Sequence, residues 1–110
     1  MDKAQRHIGF YVTIEGEELT ICPDDTFVGD VELALWGKKV CEAYPQAFGT
    51  LTIDLGKCKT FISSFISQII LMRDYYQRLN ENLRIRLVNT TKKMRDILTV
   101  MAIDKLFEFF

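Results

Sequence analysis

The chain has 110 residues, 48% of them hydrophobic and 26% charged, with two prolines, and this composition predicts one globular domain over residues 1–110. The formal net charge of −1 argues against a general nucleic-acid binder, and no apolar run approaches the roughly 18 residues of a membrane span. The first residues lack the apolar core of a signal peptide, and three cysteines without a close pair indicate a reducing, cytoplasmic location.

The near-neutral net charge of the chain is the sum of two halves of opposite charge. Residues 1–55 carry four Lys/Arg and ten Asp/Glu, which gives −6, and residues 56–110 carry ten and five, which gives +5. We expect either two faces of opposite sign or two halves that attract each other within one fold. The basic second half predicts a locally positive surface around Ser64.

A β-hairpin is predicted at the start of the chain. Alternating apolar residues predict a strand over residues 7–15, and residues 18–22 form the return strand. Gly16-Glu17 is the tight turn, because glycine tolerates a positive φ. Pro23 ends the return strand, because proline cannot donate to a sheet ladder. The predicted inward residues are Ile8, Phe10, Val12, Ile14, Leu19 and Ile21.

The next segment is predicted to be a helix over residues 30–44. Asp30 is its expected N-cap, and Pro45 stops it. Its apolar stripe at helical spacing comprises Leu33, Trp36, Val40 and Tyr44. A third strand follows over residues 50–55.

A long helix is predicted from about Ser63 to Asn80. Its expected inner face comprises Ile62, Ile66, Ile69, Ile70, Arg73, Tyr76 and Leu79. Residues 83–88 are predicted as the fourth strand, with Arg84 and Arg86 opposite its apolar face. We expect both arginines to pair with acidic residues of the first half.

The last predicted helix is capped by Thr90 or Thr91. Its expected inward residues are Met94, Ile97, Leu98 and Met101. Residues 106–110 are interpreted as an edge strand or half a helix.

Strands that alternate with helices favour an α/β fold with a mostly parallel sheet. Functional sites in such sheets lie beyond the carboxyl ends of the parallel strands. Those ends are the loop at residues 56–64 and the turn at residues 89–91.

Enzymatic motifs are incomplete in this sequence. Gly56-Lys57 follows a strand as a phosphate-binding loop would, but Leu51 and Cys58 stand where that motif requires glycine and Ser/Thr. Cys58 has no base nearby in sequence, since the one histidine, His7, lies in the first strand. No Gly-x-Ser-x-Gly elbow is present. We therefore expect a protein without enzymatic activity and without a cofactor.

Metal sites are also disfavoured. Three scattered cysteines and one histidine do not have the paired spacing of a structural zinc site. Asp24, Asp25 and Asp30 are more typical of turns and caps than of a cation site.

Four segments occur in the order of a known family pattern. They are Ile53-Asp54-Leu55, Phe61-Ile62-Ser63-Ser64-Phe65-Ile66, Leu87-Val88-Asn89, and Met94 to Leu98 followed by Met101-Ala102-Ile103-Asp104-Lys105-Leu106-Phe107. Over roughly residues 19–107 the chain resembles the STAS domain, which is shared by bacterial anti-sigma-factor antagonists and the cytoplasmic part of sulfate transporters. The resemblance implies a mixed, mostly parallel sheet of four to five strands, with an N-terminal β-hairpin and three to four helices.

The resemblance also implies a phosphorylation site. In antagonists of this family, a serine at the start of the second helix is phosphorylated by a partner that is both serine kinase and anti-sigma factor. That position falls on Ser64, with Ser63 beside it, while Ile62 and Phe65 replace the Asp and Gly of the family pattern. The residues alone indicate a helix N-cap and first turn at Ser63 and Ser64, with about 1 kcal/mol for the cap.

The function implied is bacterial signalling by contact with a protein partner, either an anti-sigma factor/serine kinase or a regulatory assembly. The expected partner-binding residues are Lys57, Lys59, Phe61, Ile62, Phe65, Asn89, Thr90, Thr91 and Lys92. Two alternatives stay open, namely an unphosphorylated scaffold or transporter accessory subunit, and a small-ligand or nucleotide sensor. A homo-oligomer also stays open.

Overall fold

A computed structural model describes residues 5–7, 10–23, 35–58 and 63–110 of the chain. Within these residues a six-stranded sheet has its strands side by side in chain order. The strands are β1 Gln5–His7, β2 Phe10–Glu15, β3 Glu18–Pro23, β4 Thr50–Asp54, β5 Arg84–Val88 and β6 Glu108–Phe109. The helices are α1 Trp36–Ala43, α2 Ser63–Leu79 and α3 Lys92–Val100, followed by a short 3-10 helix at Asp104–Leu106. No helix in these ranges combines the length and apolar character needed to cross a membrane.

The predicted first strand is in fact two strands. β1 pairs antiparallel with β2, with His7 opposite Phe10, so the single strand predicted over residues 7–15 is wrong. An alternating apolar pattern predicts which face of the sheet each residue occupies, but it does not predict where the chain reverses direction. Ile8 lies outside the described residues.

The predicted hairpin with its turn at Gly16-Glu17 is confirmed, and it is formed by β2 and β3. β2 and β3 are antiparallel, and Glu15 lies opposite Glu18 across the two-residue turn. Gly16 has a φ of 58°, the left-handed conformation that glycine adopts without steric cost.

The three helices lie on one face of the sheet. β3, β4, β5 and β6 are successive parallel neighbours, and right-handed crossovers that advance in one direction place every connecting helix on the same side. The strand side chains on that face are buried, among them Phe10, Val12, Leu19, Ile21, Leu51, Ile53, Ile85 and Leu87. The opposite face is more polar and carries the half-exposed residues Tyr11, Thr13, Thr20, Cys22 and Arg86.

The two arginines of β5 have partners in different halves of the chain. Arg86 lies 3.5 Å from Glu18, as expected, and the same carboxylate accepts the Thr52 hydroxyl hydrogen at 2.7 Å. Arg84 pairs with Glu108 of β6 through two hydrogen bonds of 3.0 and 3.1 Å, so its predicted pairing with the first half is wrong. Glu108 is the nearest acid because β6 lies directly beside β5. Their hydrogen bond raises the pKa of Arg84 and lowers the pKa of Glu108.

Helix α1 packs closely on α2. A Cβ added at Gly37 would lie 2.6 Å from the main-chain oxygen of Gln68. The Gln68 side-chain oxygen accepts the N–H of Lys38 at 3.1 Å, which satisfies one free donor in the first turn of α1. Trp36 and Val40 are buried as predicted. The expected N-cap, Asp30, and Leu33 lie outside the described residues.

Tyr76 is the aromatic centre of this helical layer. Its side chain is completely buried, and its hydroxyl donates to the main-chain oxygen of Tyr44 at 2.7 Å. Burial raises the pKa of Tyr76 and raises the pKa of the neighbouring Cys41 thiol to about 11. All three cysteines lie in the described residues, and none forms a disulfide.

The predicted inner face of α2 is confirmed near its middle and wrong at its end. Ile66, Ile69 and Tyr76 are buried, and so is Met72, which the prediction omitted. Leu79 is 46% exposed. A helix of 17 residues is about 26 Å long, whereas a five-residue strand such as β5 spans about 17 Å, so the last turn of α2 extends beyond the sheet.

Helix α3 begins at a capping threonine, as predicted. The Thr91 hydroxyl oxygen accepts the N–H of Met94 at 3.1 Å. Met94 and Leu98 are buried, whereas Met101, predicted to face inwards, is 44% exposed. Met101 is the C-cap residue, where the helical spacing that defined the inner face ends.

A Schellman motif terminates α3. The N–H of Ala102 donates to the oxygen of Thr99, and the N–H of Ile103 donates to the oxygen of Leu98. Ala102 has a φ of 60°, in the region where a Cβ clashes with the backbone and where glycine is usual. The motif therefore contains a strained alanine.

We expect Ala102→Gly to raise the free energy of unfolding by about 0.5–1 kcal/mol, because glycine removes the Cβ clash at a positive φ. The control is Ala43→Gly in the last turn of α1, where glycine lowers stability by a comparable amount. Urea unfolding followed by circular dichroism measures both. A loss of stability in Ala102→Gly would contradict the strain at this position.

Candidate functional site

The carboxyl ends of β4 and β5 lie side by side. Asp54, the last residue of β4, is in register with Val88, the last residue of β5. The N–H of Leu55 continues the ladder and donates to the oxygen of Val88 at 3.0 Å. We define the strand-end surface as a set of described residues at or just beyond these two strand ends, namely Asp54, Gly56, Lys57, Asn89, Thr90, Thr91 and Lys92.

A single carboxylate oxygen joins the two turns of this surface. Asp54 Oδ1 accepts the main-chain N–H of Gly56 at 2.9 Å. The same oxygen accepts Asn89 Nδ2–H at 2.9 Å. The segment that leaves β4 and the segment that leaves β5 are therefore held together by Asp54.

The conformation of Asn89 allows this contact. Its φ is 58°, in the left-handed region that asparagine occupies more readily than most residues. Its main-chain N–H donates to the oxygen of Phe110 at 3.1 Å, and the N–H of Phe110 donates to Leu87 at 2.9 Å. The turn after β5 is thus fixed on one side by Asp54 and on the other by the end of the chain.

Gly56 is placed where a larger residue would crowd the contact. A Cβ at this position would lie 3.1 Å from Asp54 Oδ1 and 3.3 Å from Asn89 Nδ2. Real Cβ atoms rarely approach so closely, so glycine allows the turn to close over both side chains.

The strand-end surface and the first turn of α3 are positively charged. Residues 54–58 and 89–96 carry four cations, Lys57, Lys92, Lys93 and Arg95, against two anions, Asp54 and Asp96, for a sum of +2. Lys92 Nζ lies 3.2 Å from Asp96, and the Lys92 side chain is 90% exposed. Lys57 Nζ lies 4.8 Å from the centre of the Tyr11 ring. Arg95 Nε donates to the Thr90 hydroxyl oxygen at 3.0 Å.

The fold is similar to two solved structures of one protein, TM1081. An NMR structure matches with a TM-score of 0.77 and 16% sequence identity, covering 96% of this chain and 83% of that chain. A crystal structure of the Thermotoga maritima protein, named there as a candidate anti-sigma factor antagonist, matches with a TM-score of 0.73 and 15% identity, covering 91% and 84%.

The chain has a STAS-like fold. No family model matches the sequence, and neither does any curated protein. A structural likeness at 15–16% identity shows the arrangement of strands and helices alone, and it does not show the function.

In this STAS-like fold the serine pair occupies the start of the second helix. Ser63 is the first residue of α2, as the sequence predicts, and Ser64 and Phe65 follow it in the first turn. Lys59, Phe61 and Ile62 lie outside the described residues, so their predicted contact roles stay predictions. The serine pair follows Gly56 by seven and eight residues in sequence.

The residues considered for enzymatic or metal chemistry do not assemble in the described part of the chain. Cys58 is 9% exposed, and its N–H donates to the oxygen of Leu55 at 3.1 Å. His7 belongs to β1, and Asp24, Asp25 and Asp30 are not described. Among the described residues, no group of His, Cys, Asp and Glu is arranged to hold a metal ion.

Sequence reasoning missed two features of this site. The motif Ile53-Asp54-Leu55 includes Asp54, but it does not predict that one oxygen of Asp54 accepts two hydrogen bonds. The contact between Asn89 and Phe110 was also unforeseen. The available signal was a carboxylate and an asparagine at the ends of neighbouring parallel strands, a pair that this topology brings within hydrogen-bonding distance.

Proposed function

We propose that this chain is a non-enzymatic signalling protein that acts like an anti-sigma factor antagonist, by binding an anti-sigma factor that is also a serine kinase. The observation that carries the proposal is the position of the serine pair. Ser64 lies in the first turn of α2, within a STAS-like fold whose structural neighbours include a protein named as a candidate anti-sigma factor antagonist.

The start of a helix suits a phosphorylated serine. The first N–H groups of α2 have no partner within the helix, and the helix dipole is positive at this end. A phosphate adds about −1.5 to −2 charges, which this end accommodates. Phosphorylation therefore changes the charge of a contact surface and leaves the domain folded.

The switch then acts on affinity. Lys57 and Lys92 give the strand-end surface its positive charge, and a phosphate at Ser64 would oppose that charge. Each 1.4 kcal/mol of contact energy lost at the interface weakens binding about tenfold. The unphosphorylated chain binds the partner, and the phosphorylated chain is released.

We expect the purified chain to gain one phosphate when incubated with ATP and the serine kinases encoded nearest to its gene. Mass spectrometry should show the shift in the wild type and in Ser63→Ala, and should show none in Ser64→Ala. Ser63→Ala is the matched control, because it removes the neighbouring hydroxyl from the same turn. An unmodified wild type, or a phosphate retained in Ser64→Ala, would refute the switch.

A second function is favoured by the residues flanking the serines. Ile62 and Phe65 stand where the family pattern has Asp and Gly, and these replacements suit an unphosphorylated scaffold or transporter accessory subunit. Binding of the same partner with equal affinity before and after treatment with kinase would support this alternative.

A small-ligand sensor at the strand ends has less support. A surface depression is lined by Asp74, Gln77, Arg78 and Glu81, at the opposite end of α2 from the serines. The strand ends themselves are occupied by the hydrogen bonds of Asp54 and Asn89.

A further inference from the structure

We infer that Asp54 is the positioning residue of the strand-end surface. Its Oδ1 atom accepts one hydrogen from each of two turns, the Gly56 N–H on the way to α2 and the Asn89 side-chain N–H on the way to α3. Loss of this atom separates the two turns while the sheet beneath them stays paired.

Asp54 links the two turns beyond the end of the backbone ladder. The ladder between β4 and β5 ends where Leu55 donates to Val88. Beyond that point the side chain of Asp54 replaces the backbone ladder. Gly56 has no side chain, and Asn89 adopts a positive φ, so both turns can approach the same oxygen.

A carboxylate is well suited to this role. Hydrogen bonds to an ionised acceptor are shorter and stronger than those to a neutral one. Both bonds of Asp54 are nevertheless exposed, and exposed hydrogen bonds compete with water. Asp54 therefore determines the local position of the two turns more than the stability of the whole fold.

The functional consequence rests on the proposed function. The turn after β4 leads to the serine pair of α2, and the turn after β5 contains Asn89 to Lys92. By joining them, Asp54 presents the serine-bearing helix start and the basic turn to the partner as one rigid surface. The joining of the turns does not itself depend on the proposed function.

Cysteine labelling of the intact chain tests the inference. Cys58 is buried, and its N–H is bonded within the turn that Asp54 holds. Cys41 is a buried residue of α1, a different element from that turn, and it reports on global opening. The probe is N-ethylmaleimide, with each cysteine followed separately by peptide mass spectrometry. The measured quantity is the ratio of the Cys58 rate to the Cys41 rate.

We expect Asp54→Ala to raise this ratio about tenfold, because the substitution removes two hydrogen bonds to a charged group at once, each of them weakened by exposure to water. Asp54→Asn retains an acceptor oxygen and should restore a ratio near that of the wild type. This rescue separates positioning by the oxygen atom from a general effect of the substitution.

The matched control is Asn80→Ala at the other end of α2. Asn80 also makes two hydrogen bonds, donating to the Phe48 oxygen and accepting from the Asn82 N–H, each at 3.0 Å. This variant should leave the ratio unchanged. An unchanged ratio in Asp54→Ala, or an equal rise in Asn80→Ala, would overturn the inference.

The same variants connect the inference to function. If the kinase acts on Ser64, Asp54→Ala should slow phosphorylation and Asp54→Asn should restore it. The labelling experiment needs no kinase, so it tests the role of Asp54 even if the proposed function is wrong. Conversely, an unchanged labelling ratio would refute the role of Asp54 without bearing on phosphorylation of Ser64.

Discussion

Replacing Tyr76 by alanine is expected to lower the free energy of unfolding by about 3–5 kcal/mol, the cost of removing a large aromatic side chain from a core. Tyr76 is completely buried. Its ring lies 5.5 Å from that of Phe48 and 5.0 Å from that of Tyr75, both in edge-to-face arrangements. The cavity would open between α1 and α2, where three aromatic rings now meet.

The hydroxyl contributes a smaller, separable part. Tyr76→Phe keeps the ring and removes the hydrogen bond to the Tyr44 oxygen, so we expect a loss of about 1–2 kcal/mol. Urea unfolding monitored by tryptophan fluorescence and circular dichroism measures both variants. If the alanine variant lost no more than the phenylalanine variant, the ring contacts would not be the main source of the stability.

The sheet could be predicted from the sequence because its apolar residues alternate. Leu19 and Ile21 in β3 and Ile85 and Leu87 in β5 predict the buried face, and the structure confirms it. The reversal between β1 and β2 could not be predicted, since Ile8 continues the alternation of Phe10, Val12 and Ile14 up to the end of β1. Leu79 is exposed although it continues the predicted inner face of α2, because helical spacing does not show where the sheet beneath the helix stops.

The sequence predicts at which end of the sheet the strand-end surface lies, but it does not predict the hydrogen bonds between Asp54 and Asn89 or Gly56. Parallel strands bring Asp54 and Asn89 to one edge of the sheet whatever their detailed register. Their contact at 2.9 Å depends on Asp54 lying opposite Val88 and on the positive φ of Asn89. Neither of these is encoded in a local pattern.

One departure from the family pattern has a local structural cost. That pattern places glycine before the final Leu-x-x-Leu-Phe, and this chain has Ala102 there. The structure shows why glycine is suited to the position, since the Schellman motif requires a positive φ. The hydrogen bond from the Ile103 N–H to the Leu98 oxygen still closes the motif after α3.

The arrangement of helices on one face connects the core with the candidate site. Helix α2 rests on the sheet through Ile66, Ile69 and Met72, and it carries the serine pair at its start. The position of those serines therefore depends on how α2 is held by α1. Gly37 of α1 packs against Gln68 of α2, and a substitution at Gly37 tests this contact.

Gly37→Ala is expected to destabilise the fold by about 1–3 kcal/mol, the usual cost of overpacking. The added methyl would lie 2.6 Å from the Gln68 oxygen, which belongs to the backbone of α2 and cannot rotate away. Alanine is otherwise favoured over glycine in a helix by about 1 kcal/mol. Any net loss of stability in Gly37→Ala is therefore due to the contact with the Gln68 oxygen. Lys39→Ala, on the exposed side of α1, should change stability by less than about 0.5 kcal/mol.

The same variant bears on function, because Gln68 lies five residues after Ser63 on α2. Relief of the clash requires α1 and α2 to separate, and that movement shifts the helix that carries the serine pair. If the proposed kinase acts on Ser64, we expect Gly37→Ala to slow that reaction even at temperatures where the variant remains folded, whereas Lys39→Ala should not. A stability equal to or above that of the wild type would mean that the helices already have room at Gly37, and the packing argument for the position of the serines would fail.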